Sequence, residues 1–278
     1  MLDSAAIKSV SAEARRRAGI AIPAAQTFLV ETRLAPVARS EGYDSQSDLV
    51  NALEKSQEDR LWRRVVESLA DHETWFFRDA APLEHFMSDI LPVLARVKGK
   101  SGPIRIWSAG CGTGQEVWSL AMLLEEQKAQ LGNMEIEIIG TDISRRSIER
   151  AQAGVYSQFE VQRGLSIHRL IEHFEPEGQQ WKLKDSIKRW ARFERGNLLK
   201  PAETLGAFDV IFCRNVLSGM TPDARKHTLR MLAERSGTAG YLILGRGETV
   251  AGAGEMFRAM SGAKGVYART LESARQAA

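Results

Sequence analysis

The chain has 278 residues, enough for one large or two modest domains, and at 44% hydrophobic and 26% charged it has the make-up of an ordinary globular protein. No apolar stretch approaches the ~18 residues of a membrane span, the opening MLDSAAIKSVSAEARRRAG lacks the features of a secretory signal, and a net charge of +3 gives no case for nucleic acid. The two cysteines, Cys111 and Cys213, have neither a disulfide framework nor metal-type spacing, so a cytoplasmic protein without a metal is expected.

In chain order, residues 1 to about 70 predict four or five short helices. Apolar residues recur at helical spacing in DSQSDLVNALEKS and EDRLWRRVVESLA, with Asp44 or Ser45 and then Ser56 as candidate N-caps. Leu49, Leu53, Leu61, Val65 and Leu69 are predicted to face inward. Pro23 suits a helix start, whereas Pro36 should break or kink a helix through ETRLAPVARS. Residues 1 to 80 carry 11 Lys/Arg against 13 Asp/Glu, and residues 161 to 200 carry 9 against 5, which places any basic face in the middle of the chain.

The stretch Trp75-Phe76-Phe77-Arg78 runs an aromatic segment into a guanidinium. A helix with an interruption near Pro92 is expected over residues 83 to 98, then a turn at GKSGP. From there strands alternate with helices: IRIWSAG, QEVWSLAMLLEEQKAQL, MEIEIIGTDIS, SRRSIERAQAGVY, FDVIFCRN, PDARKHTLRMLAERS, GYLILG. Such alternation implies a Rossmann-like α/β fold, a parallel sheet with helices on both faces. Residues 158 to 196 break the alternation and are expected to form a small antiparallel insertion. The expected division is a helical domain over 1–80 and an α/β domain over 81–278.

The first strand ends in Gly110-Cys111-Gly112-Thr113-Gly114, where a helix opens. A glycine turn there lets a ligand approach the backbone near the positive helix end. The second strand ends at Asp142, where a carboxylate suits a ribose; the same residue would also serve as a helix N-cap. A dinucleotide fingerprint needs a third glycine inside the helix. Here Gln115 and Glu116 come directly after Gly114, and Glu116 would repel a pyrophosphate but suit a ligand with an amino group and a cationic centre, such as S-adenosylmethionine. Arg214 and Asn215 follow an apolar strand, at the level where ligands bind in such sheets.

These residues resemble the bacterial chemotaxis-receptor methyltransferases, the CheR family of protein-glutamate O-methyltransferases. The matching stretches run in order through nearly the whole chain: Thr74-x-Phe76-Phe77-Arg78-Asp79, Trp107-Ser108-Ala109-x-Cys111-x-Thr113-Gly114-x-Glu116, Thr141-Asp142-Ile143, Gly164-Leu165, Asn197-Leu198-Leu199, Phe208-Asp209-x-Ile211-Phe212-Cys213-Arg214-Asn215-Val216 and Gly240-Tyr241-Leu242. The resemblance implies S-adenosylmethionine as cofactor, S-adenosylhomocysteine as product, and glutamate side chains on the cytoplasmic helical region of a chemoreceptor as substrate. By position, cofactor contacts would come from His72, Thr74, Arg78, Glu116, Asp142, Asn197, Leu198, Cys213 and Arg214, beside the glycine turn at Gly110 and Gly112 and the neighbouring Asn215. Arg78 would orient a carboxylate, that of the cofactor or that of the substrate.

The sequence departs from the family at several places. His72 replaces the usual asparagine, Gly219 the usual tyrosine and Arg246 the usual histidine, and Pro36 interrupts the receptor-docking helix. The insertion is short, so no tether to a receptor-tail pentapeptide is expected. A monomer that does not enter the membrane is expected. The alternative is a relative that binds S-adenosylmethionine or its product without catalysis and acts as a regulatory interaction module.

Overall fold

Leu49, Leu53, Leu61, Val65 and Leu69 are at most 2% exposed in the computed structural model, which describes residues 2–55, 59–98, 102–201 and 203–270. They join Val10, Ala14, Val30 and Leu34 in one core shared by α1 (Ser4–Ala18), α2 (Phe28–Ser40), α3 (Gln46–Lys55) and α4 (Asp59–Leu69). Full burial of each Leu or Val contributes about 1.5–3 kcal/mol. Ser45 caps α3, accepting the Asp48 N–H at 3.1 Å. The Ser56 cap and the Gly99-Lys100-Ser101 part of the expected turn lie outside the described residues.

Two helical expectations are corrected. Pro36 lies inside α2 instead of breaking it. It cannot donate to the Thr32 carbonyl, a loss of about 3 kcal/mol in an isolated helix, but the buried Leu34, Val37 and Ala38 keep the turns packed. The helix before the sheet begins at Ala80 as α5 (Ala80–His85), loosens into a π-turn (Phe86–Ile90) and resumes as α6 (Leu91–Lys98). The wide turn lies just before Pro92, whose missing N–H leaves the regular ladder one donor short.

The remaining elements in chain order are β1 (Ile104–Ala109), α7 (Gln115–Glu126), α8 (Lys128–Leu131), β2 (Ile136–Asp142), α9 (Arg145–Ala153), β3 (Val155–Ser157), α10 (Gln158–Gln162), α11 (Ile167–His173), β4 (Phe174–Glu177), β5 (Gln180–Leu183), α12 (Asp185–Lys188), β6 (Ala191–Arg195), β7 (Phe208–Cys213), α13 (Pro222–Arg235), β8 (Ser236–Leu244), β9 (Phe257–Ala259) and β10 (Val266–Arg269). Seven strands form one sheet in the order β6-β2-β1-β7-β8-β10-β9. The first five in that order are mutually parallel, and β10 and β9 close the edge antiparallel. The chain leaves β1 toward β2 on one side and returns to β7 on the other. The loops after β1 and β7 therefore diverge and leave a crevice at the carboxyl ends of the strands.

A second sheet, β3-β5-β4, is antiparallel, as the break in alternation predicts. Its strands fall within residues 155 to 183, and β6, inside the stretch assigned to the insertion, is an edge strand of the large sheet instead. The alternating apolar and basic residues of β6 fit an edge: Phe193 is buried while Arg192 and Glu194 face outward in an ion pair.

Candidate functional site

Gly110 and Gly112 carry φ of 83° and 55°, and the turn they form folds over the end of β2. A Cβ on Gly110 would stand 2.5 Å from Val216 Cγ2, so the glycine lets the turn meet the loop after β7. Asp142, 6% exposed, sits beneath it. Its carboxylate accepts the N–H of Gly112 at 2.9 Å and that of Ser144 at 2.9 Å. Ser144, not Asp142, is the N-cap of α9.

Beside this turn lies a narrow cleft lined by His72, Thr74, Arg78, Gly110, Gly112, Glu116, Arg214 and Asn215, among others, with a cavity volume of about 30 Å³. Asp142 adjoins it through Gly112 and His72. Asn197, Leu198 and Cys213 do not line it. The Asn197 amide donates to the Arg17 carbonyl at 2.7 Å, at the end of α1, and Leu198 is packed in the core. Cys213 is fully buried beneath the loop; burial, with Glu248 and Glu116 nearby, pushes its thiol well above the usual range. Burial does the same to Cys111. Neither thiol is a nucleophile here.

Glu116 is not left open for a ligand amine. Its oxygens accept the Ser108 hydroxyl at 2.8 Å and Arg214 Nη1 at 3.0 Å, because a carboxylate this enclosed needs partners. Arg214, whose side chain is 2% exposed, also donates through Nη2 to the Arg78 carbonyl at 2.5 Å and lies 3.4 Å from an Asp79 carboxylate oxygen. It thus ties the loop after β7 to the segment carrying Arg78.

Arg78 stands between two residues in the left-handed region, Phe77 at φ 53° and Asp79 at φ 47°. Such backbone costs on the order of 1–3 kcal/mol per residue and persists only where the surroundings enforce it. Ser119 does part of this by accepting the Phe77 N–H at 2.9 Å. Arg78 Nη1 donates to the Glu73 carbonyl at 2.8 Å. His72 places Nε2 2.9 Å from the Glu67 carbonyl and Nδ1 3.4 Å from an Asp142 oxygen, an electrostatic contact without hydrogen-bond alignment. Burial opposes its protonation, but the Asp142 carboxylate outweighs this and raises its pKa above the ordinary value.

A family model described as CheR methyltransferase, SAM binding domain, matches residues 72–266. The chain belongs to the CheR methyltransferase family. The chemotaxis protein methyltransferase of Vibrio anguillarum is 36% identical over 86% of this chain and 87% of its own length. Chemotaxis protein methyltransferase 1 of Pseudomonas aeruginosa is 34% identical over 84% and 85%, and the Escherichia coli chemotaxis protein methyltransferase 29% over 89% and 85%. This CheR-family chain is an S-adenosylmethionine-dependent methyltransferase of chemotaxis.

The cleft fits that cofactor. His72 Nδ1, Arg78 Nε, Arg214 Nε and Asn215 Oδ1 are buried without a protein hydrogen-bond partner, although buried polar atoms are ordinarily satisfied. The Nε edge of the Arg78 guanidinium suits a carboxylate, and Asp142 lies within reach of the turn that a ribose would approach.

Residue-type reasoning missed Glu248. It is 6% exposed and accepts the N–H groups of Asn215 at 2.8 Å, Ser218 at 2.9 Å and Gly245 at 2.9 Å. It therefore fastens the loops after β7 and β8 together beside the cleft. The signal was the one that marked Asp142, a carboxylate just beyond an apolar strand.

Proposed function

We propose that this CheR-family enzyme transfers the methyl group to glutamate side chains of a chemoreceptor's cytoplasmic helical region, forming methyl esters. The observation that carries the reading is a second, basic groove meeting the cofactor cleft at His72, which lines both. Its walls come from α2, α4, α9 and the end of β6 and carry eight arginines, including Arg33, Arg63, Arg64, Arg145, Arg146 and Arg150, against Glu67 and Glu149. Some are braced at the rim, as Arg60 and Arg64 are by Glu41 at 2.8 and 2.9 Å. A surface of this charge favours an acidic segment over a neutral one.

S-adenosylmethionine supplies a methyl carbon made electrophilic by its sulfonium and leaves as S-adenosylhomocysteine. A glutamate carboxylate is ionised near neutral pH, so the protein need not remove a proton. What it must supply is alignment and partial exclusion of water. Arg78 orients a carboxylate through the part of its fork that Glu73 does not occupy. Glu116 and Arg214 neutralise each other and hold that segment against the sheet. His72, Thr74, Gly110, Gly112, Asp142 and Asn215 frame the cofactor. The reading includes a cytoplasmic monomer without a tether to a receptor-tail pentapeptide, and measurable affinity for such a peptide contradicts that part.

The test is transfer of labelled methyl from S-adenosylmethionine to membranes bearing chemoreceptors, with release of the label as methanol by base. Label that resists base places the methyl on another group. Retained binding of S-adenosylhomocysteine with no transfer to any receptor points to the non-catalytic alternative.

A further inference from the structure

Two guanidinium groups pack against Trp75. Arg78 Cζ stands 4.1 Å from the centroid of the indole and Arg163 Cζ 4.0 Å from the same centroid. Both guanidinium groups therefore pack against the one indole. Glu73 closes the arrangement from both ends. Its carbonyl accepts Arg78 Nη1 at 2.8 Å, and its carboxylate accepts Arg163 Nη2 at 2.7 Å.

Arg163 comes from the insertion, at the C-terminal end of α10. The next residue, Gly164, runs so close to the site segment that a Cβ there would stand 1.9 Å from the Phe76 carbonyl oxygen. Phe76 itself is fully buried, edge-on to Tyr156 of β3 at 5.0 Å and to Phe174 of β4 at 5.6 Å, both in the small antiparallel sheet. Phe76 thus anchors the segment inward, and its neighbour Trp75 is left to stack on Arg78. With Nη1 committed to Glu73 and the ring plane held by the indole, Arg78 has its unpartnered Nε side left for a ligand. That edge can receive a carboxylate with two parallel N–H bonds.

We propose that Trp75 and Arg163 are positioning residues for methyl transfer, acting together as a clamp that fixes the plane of the Arg78 guanidinium. The clamp makes the insertion part of the catalytic apparatus. The proposal rests on the reading of Arg78 as the group that orients a carboxylate, and the experiment separates the two.

The first measurement is the Arg78 Nε–H signal in a nitrogen-15 NMR spectrum of the full chain, assigned by its loss in Arg78→Lys. A clamped group gives slow solvent exchange; Trp75→Leu should speed exchange at least tenfold, and Trp75→Tyr, which keeps an aromatic face, should restore most of the protection. Unchanged exchange in Trp75→Leu overturns the clamp. The second is methyl transfer to receptor-bearing membranes. Trp75→Leu should lower kcat roughly tenfold and Arg163→Ala roughly threefold, magnitudes typical of one cation–π contact, with a smaller change in KM for S-adenosylmethionine. In an Arg78→Ala background neither substitution should lower the rate further. An equal loss in that background shows a general structural effect and overturns the proposal. Undiminished transfer by Arg78→Ala alone overturns the reading of Arg78, whatever the NMR result.

Discussion

His72 Nδ1 faces the Asp142 carboxylate at 3.4 Å while its Nε2 lies 2.9 Å from the Glu67 carbonyl. The carbonyl can only accept, so Nε2 carries a proton, and in the neutral ring Nδ1 presents a lone pair to a carboxylate. Protonation turns that opposition into an attraction and raises the His72 pKa despite burial. The sign follows: the contribution is fully present below the unfolded-state pKa of about 6.5 and is lost as pH rises through the higher folded-state value. Thermal unfolding followed from pH 6 to pH 9 should show this loss, and His72→Asn should flatten it. An identical slope in both proteins places the titration elsewhere.

Arg214 bridges Glu116 and the Arg78 carbonyl with a side chain only 2% exposed. Arg214→Ala leaves an enclosed carboxylate without its counter-charge, which typically costs about 3–5 kcal/mol. Urea unfolding should show a loss of that order. Arg214→Lys should recover only part of it, since one ammonium cannot span both partners. Calorimetry with S-adenosylhomocysteine should show weaker binding for both.

Glu248 accepts three backbone N–H groups, those of Asn215, Ser218 and Gly245. Glu248→Ala strands them, at about 1–3 kcal/mol for each one left buried and unsatisfied. Since Asn215 already holds φ 62°, that loop should relax first. Protection of the Asn215 and Ser218 amides in hydrogen exchange should fall before that of β7 does.

Gly219 stands where the resemblance to the family implies a tyrosine, and among the described residues no atom beyond its chain neighbours lies within 4 Å of a Cβ built there. Gly219→Tyr should therefore fold with stability within about 0.5 kcal/mol of the parent, as for other unobstructed surface changes. If the missing ring limits turnover, kcat should rise severalfold with little change in KM; a fall in rate would show that the open position is needed by the substrate.

Much of this architecture was legible in the residues because strands β1, β2 and β7 end in chemistry foreign to a core, at Gly110, Asp142 and Arg214. The buried leucines of α3 and α4 followed from spacing alone. β9 and β10 did not, because three- and four-residue strands are too short to show a period. Nor did the use of Glu116: a sequence shows a carboxylate beside a glycine turn but not that Arg214, 98 positions later, turns back to neutralise it. The partner of Asn197 is hidden for a related reason, since its amide reaches the Arg17 carbonyl across a separation of 180 residues.

That last contact has company. The Thr221 N–H donates to the Gly19 carbonyl at 2.8 Å and the Ala21 N–H to the Gly219 carbonyl at 2.9 Å, while Gly19 packs directly on Leu199 and Ala224. The first helix is thus sewn, stitch by stitch, to the rim of the reaction chamber. A truncation that begins after residue 21 would remove those stitches and uncover Leu199 and Ala224 where Gly19 meets them.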